Sequence, residues 1–304
     1  MNTTLQWILI SAGCLAVFIT LRSLPVESCE FLHYSDYVDD DGVIAGCGYE
    51  ETNFFDLSEL RFPIHFELVP DQPPVAGEPT NFSLALRTTT GRAIDYGDIA
   101  ITHTERVHAM VVDALLEDYQ HLHPQPAGPS GHFRFRMTPK KTGTYRVYLD
   151  FIPLTNSRRT LLSAEFEVAR EAPAESAAPR IRPAADTPLI SKAGGHRFEL
   201  ALNQAALKAG ESFEMELKAL GDEANRPEFE LVMGAYAHLV AFDPQRLGFA
   251  HLHPMNPITE GQDPRNPDMR FQLELDQPGD YRVWAQVRID GEDVFVPFEL
   301  SLKS

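Results

Sequence analysis

The chain has 304 residues, 43% of them hydrophobic, which is enough for two ordinary domains that each bury a core. Its formal net charge is −18. That balance excludes nucleic-acid binding, which needs a basic face to neutralise phosphates, and suits cations or basic partners instead.

Residues 1–22 open the chain with no ionised side chain before Arg22, and Trp7–Leu21 is almost wholly apolar. The segment therefore predicts a signal peptide or a membrane anchor, with the remainder extracytoplasmic, in the periplasm or at the cell surface. Ser11-Ala12-Gly13-Cys14 lacks the leading Leu of a lipoprotein box. Residues 23–60 hold ten acidic side chains and no Lys or Arg. Cys29 and Cys47 lie in this segment, where an oxidising compartment predicts a disulfide. A metal or redox role stays open because His33 follows Cys29 by four residues. Tyr37 to Gly42 is a poor calcium loop: Tyr37 occupies the first ligand position and no Glu falls at the twelfth.

From Arg61 the pattern is that of β structure, and it occurs twice. Residues 61–169 and 195–304 each carry a strand–turn–strand opening around Ala76-Gly77-Glu78 and Ala209-Gly210-Glu211. Each ends with a Gly-x-Tyr corner, at Gly143 and Tyr145 and at Gly279 and Tyr281, where the phenol reaches back to the backbone of a sandwich. Asp290-Gly291 predicts the last hairpin turn. Residues 170–194 are rich in Ala and Pro and predict an extended linker that lets the domains move. The fold class predicted is all-β: two tandem immunoglobulin-like (cupredoxin-like) β-sandwich domains after an N-terminal apolar segment.

Val107, Met110, Val111, Ala114 and Leu115 fall at helical spacing, but the equivalent stretch of the second copy contains Asp243-Pro244 and Gly248, which break a helix. Both stretches are therefore predicted as hairpins. Aligning Arg106–Pro124 with Tyr236–Pro254 gives six identities in 19 positions, three of them histidines. With Phe242 opposite Phe249, His238 lies across from His253 and His251 across from Val240. The first copy places His108 across from His123 and His121 across from Met110. All these side chains leave one sheet face, with opposed Cβ atoms about 5 Å apart, close enough for imidazoles to share an ion. The expectation is one metal ion per domain, bound independently by His108, His121 and His123 and by His238, His251 and His253. Secondary ligand candidates are Met110, Met255, and the equivalent pair His103 and Met233, which have the wrong strand parity and would act from loops. Imidazole with nearby thioether favours copper, with zinc as the alternative.

The His-Leu-His-Pro stretches and the Gly-x-Tyr-Arg-Val endings resemble bacterial exported immunoglobulin-like or cupredoxin-like domains of the FixH/YtkA-like type, present here as a tandem repeat. The resemblance implies a sandwich fold, the same six histidines as ligands and a connection with copper handling; the acidic Cys29–Cys47 segment falls outside it. The function expected is an exported, membrane-tethered metal-binding protein that buffers, delivers or senses copper, working with a membrane-bound or periplasmic partner. The alternative is a structural or adhesive sandwich array without metal. A three-histidine metalloenzyme ranks last, because no Glu or Asp repeats beside the histidines as a base; Asp113 and Asp243 repeat but read as turn starters.

Overall fold

A computed structural model describes residues 3–23, 54–58, 60–169, 189–222, 226–256, 258–259 and 261–303. Two compact units are present, Met1–Glu30 and Phe31–Ser304, and both sandwiches belong to the second. The first unit contains helix α1 (Thr3–Ser23), whose stretch Thr3–Thr20 is long and apolar enough to cross a membrane. The disulfide expected between Cys29 and Cys47 lies outside the described residues.

Strand β1 (Phe55–Asp56) precedes the first sandwich. That sandwich contains β2 (Ile64–Pro70), β3 (Thr80–Thr88), β4 (His108–Asp113), β5 (Tyr119–Leu122), β6 (Gln125–Pro126), β7 (His132–Met137), β8 (Gly143–Phe151) and β9 (Thr160–Val168). Its sheets run β2-β3-β7-β6 and β5-β4-β8-β9. The second sandwich follows with β10 (Leu189–Ala193), β11 (His196–Leu202), β12 (Phe213–Leu220), β13 (Phe229–Glu230), β14 (Ala237–Phe242), β15 (Gly248–Leu252), β16 (Arg270–Leu273), β17 (Gly279–Ile289) and β18 (Glu292–Leu302). One sheet runs β10-β11-β12-β16; the other runs β1-β15-β14-β17, with β13 and β18 also on β17.

The hairpins form where the repeat places them. Met110 pairs with His121 and Val240 with His251. Asp113 and Asp243 start the turns as read: their carboxylates accept the amides of Leu115 and Glu117, and of Gln245 and Gly248. The tyrosine corners are also present, the Tyr145 hydroxyl accepting from the Lys141 amide and the Tyr281 hydroxyl donating to the Gln277 carbonyl. Asp290 and Gly291, with φ of 51° and 77°, make the β17–β18 turn with the primed twist that hairpins favour.

One boundary and the expected motion of the domains differ from expectation. Leu189–Ala193, placed at the end of the linker, pairs along its whole length with β11, so the second sandwich begins earlier. The alternation of buried and exposed residues that marks a half-buried strand is carried there by only Leu189, Ser191 and Ala193, within an Ala/Pro-rich context that hid it. The sandwiches are also not free to move as separate bodies. Met110, Val112, Tyr119, Tyr148 and Leu161 of the first share one buried apolar cluster with Val240, Phe242, Phe249 and Trp284 of the second. Residues of opposite parity, such as Ala109, Val111, Ala241 and Leu239, fill the two inner cores. The sheets therefore carry apolar residues on both faces, and the outer faces close on each other.

A pseudo-two-fold axis relates the halves at this interface. Tyr148 Oη donates to the Arg246 carbonyl at 2.6 Å, and Trp284 Nε1, at the equivalent position, donates to the Leu116 carbonyl at 3.2 Å. Both acceptors sit in left-handed turns, with φ of 58° at Leu116 and 57° at Arg246.

Strand β1 breaks this symmetry by adding to the outer edge of β15, with Phe55 opposite Phe249. Gly248 permits the approach, since a Cβ there would lie 1.9 Å from the Phe55 carbonyl oxygen. Replacing Gly248 by Ala is thus expected to expel β1, at a cost of about 1–3 kcal/mol. Denaturant unfolding with limited proteolysis of residues 54–58 checks this; unchanged stability with no new cleavage would contradict it.

Candidate metal centre between the sandwiches

Seven histidines gather at one end of the interface. His108 starts β4 and His238 is the second residue of β14, His121 and His251 lie in β5 and β15, and His123 and His253 follow those strands. The opposed pairs are close, with ring centroids 5.1 Å apart for His108 and His123 and 4.7 Å for His238 and His253. The face they share is the outer face of each sandwich, so the two sets meet. His108 and His251 lie 5.4 Å apart and His121 and His251 5.1 Å apart, centroid to centroid, across the interface.

The seventh is His103, at a turn where Thr102 and Glu105 bridge and φ is 49°. It reaches into the other half and stacks on His253 with centroids 3.3 Å apart. Its equivalent, Met233, occupies the matching turn with φ of 50°. A Cβ at Gly234 would lie 3.7 Å from Thr104 Cγ2, so the two turns abut. Both candidates stand in loops, as their parity requires. Met110 is fully buried in the interface cluster, while the amide of Met255 donates to the Arg270 carbonyl on the far sheet.

The groups with metal-ligand spacing therefore do not follow the halves. His103, His238 and His253 form one and His108, His121 and His251 the other, the ligand atoms within each lying inside 4.8 Å of one another. Each draws on both sandwiches. The expectation of one self-contained site per domain is corrected on this point: the histidine faces point away from their own cores and toward each other. His123 flanks the second group, 4.9 Å from His121 by ring centroid.

Hydrogen bonds fix the tautomers of that second group. His108 Nε2 lies 3.0 Å from the Thr102 carbonyl, which only accepts, so Nε2 carries the proton and Nδ1 is bare. The Gln286 amide nitrogen donates to Asp293, so its oxygen, 3.0 Å from His121 Nδ1, accepts the proton held there. His251 Nδ1 faces the Asp150 carboxylate at 3.5 Å. What remains are the lone pairs of His108 Nδ1, His121 Nε2 and His251 Nε2. The first two lie only 3.2 Å apart, and His251 Nε2 is buried without a hydrogen bond. Two lone pairs at that distance repel one another unless a cation or proton sits between them.

An added proton on His108 or His121 is disfavoured. Burial, followed by repulsion from neighbouring imidazoles, holds His108, His121 and His238 well below the ordinary histidine range, and His123 falls to about 4 for the same reasons. Neutral imidazole is the form that ligates metal. Asp150 is held ionised: burial pushes it up, but Arg159 and the bond to His251 outweigh that and its pKa is lowered. Arg159 grips it through Nε at 3.0 Å and Nη2 at 2.6 Å. Asp150, His251 and the open Nε2 thus form the carboxylate–histidine arrangement that orients metal ligands. Gln286 holds the equivalent place beside His121. Sequence reasoning missed Asp150 and Gln286, which stand in β8 and β17 with no motif of their own; only their register opposite His108 and His238 marks them.

A duplicated immunoglobulin-like sandwich whose outer sheets close on a shared histidine cluster is the class of protein this fold and site define. The chain belongs to the family described as domain of unknown function DUF8832, which matches residues 64–170 and 191–304. Among solved structures it is similar to the fibronectin(III)-like modules of Clostridium thermocellum CbhA, at 9% identity over 78% of this chain and 94% of that one, with a TM-score of 0.20. Among curated proteins none is similar enough to count as a match.

Proposed function

We propose that the protein is an extracytoplasmic, membrane-tethered metal-binding protein whose histidine centre holds copper, with zinc as the alternative, for buffering, delivery or sensing and without catalysis. The observation that carries this reading is the buried triad of His108, His121 and His251, whose ligand atoms lie within 4.8 Å of one another. All-nitrogen ligation suits Cu(II) and Zn(II). The apolar helix α1 supports the tether and fits either an anchor or a signal peptide. A partner that supplies or takes the ion would come from the membrane or the same compartment, and the FixH/YtkA-like resemblance is consistent with that setting.

Elemental analysis of the full chain, purified in detergent from native membranes, is the test. Copper or zinc retained through dialysis is the expected result. A chain that retains neither and takes up neither on addition would favour the metal-free interaction module.

A further inference from the structure

We infer that the cluster is a dinuclear centre with one resident and one exchangeable ion: the first held by His108, His121 and His251, the second by His103, His238 and His253. This rests on the metal-binding reading above and deepens it. The two triads share no residue, and each is compact enough for one ion. A single four-coordinate ion would leave at least two of these six imidazoles without a use. His238 illustrates the cost, because neither of its buried ring nitrogens has a hydrogen-bond partner.

The triads are also adjacent. His251 and His253 rings lie 4.6 Å apart, His238 and His251 6.1 Å, and His121 and His238 6.4 Å. With metal–nitrogen bonds of about 2 Å, the ions fall on the order of 5–8 Å apart.

The sites are unequal for two reasons. Asp150 backs His251 with a buried negative charge, which strengthens the hold of the first triad on a cation. His103 is only half-buried on its turn, while His108, His121 and His251 are all buried. The first ion therefore takes the site backed by Asp150 and stays. The second enters through the His103 turn against the charge of the first and leaves by the same route.

Titration of the full chain in detergent micelles with Cu(II) chloride, followed by calorimetry and electron paramagnetic resonance, tests this. Two equivalents should bind in sequence, the second weaker by on the order of a hundredfold, the repulsion of two dications about 6 Å apart even at water's dielectric constant. Dipolar broadening and a half-field transition should appear only with the second equivalent. His103→Gly, which suits the left-handed φ of 49°, should keep the first equivalent and lose the second together with the half-field signal. One equivalent in the wild type, or two in His103→Gly, would overturn the dinuclear centre while leaving metal binding in place. No copper uptake at all would remove both.

Discussion

Asp150→Ala is expected to destabilise the folded chain by about 3–5 kcal/mol, the usual cost of leaving one partner of a buried ion pair alone. Arg159, 2% exposed, would lose both bonds to the carboxylate. The effect should spread in two directions. Arg159 also lies over the Phe55 ring at 5.1 Å, so the docking of β1 should loosen. His251 would lose the acceptor that fixes its tautomer, so the resident ion should bind more weakly by tens of fold, as when an outer partner of a metal ligand is removed. Denaturant unfolding of the metal-free chain measures the first effect and metal titration the second. A loss under about 1 kcal/mol would mean that the pair is not buried as described.

Acid should unfold the metal-free chain with unusual steepness. His108, His121 and His238 are held well below the ordinary histidine pKa and His123 at about 4, so the folded chain stays neutral at these positions where the unfolded chain takes up protons. The sign follows directly: stability is fully present above the unfolded value near 6.5 and is lost as pH falls below it. A group that takes up a full proton on unfolding contributes a slope of up to about 1.4 kcal/mol per pH unit, so several such groups together make the fall in stability steep. Bound metal should protect, because it adds binding energy to the folded state alone. Urea unfolding midpoints from pH 7.5 to 5 check this, and a flat profile for the metal-free chain would contradict it.

The hairpins were legible because two copies constrained each other: Asp243-Pro244 and Gly248 removed the helical reading that Val107, Met110 and Val111 allow alone. The register followed from one closing pair, Phe242 with Phe249, and it placed all six repeated histidines on common faces. Which way those faces point was harder to see. A clue lay in β4, where His108-Ala109-Met110-Val111-Val112 is apolar at both parities outside the histidine, the mark of a strand covered on both sides. Reading the odd residues as core and leaving the even ones to solvent exposes Met110 and Val112; only a second sheet over them resolves the conflict. The partners that tune the site were not legible, since Asp150, Gln286 and Thr102 act through contacts that depend on how strands β8 and β17 lie beside the histidine hairpins. Strand β1 was hidden for a related reason: two residues in an acidic segment carry no periodicity, and its place depends on the room left by Gly248.

The account rests on ligands being shared between the halves, and the stoichiometry of the His251→Ala, His253→Ala double variant tests that most directly. His251 belongs to one triad and His253 to the other. Calorimetric titration of this full-length variant with Cu(II), with fluorescence of the buried Trp284 showing the interface still closed, should find no tight equivalent where the wild type binds. Retention of one wild-type-like equivalent would show that His108, His121 and His123 form a self-contained site in the first sandwich, and the shared centre would be wrong.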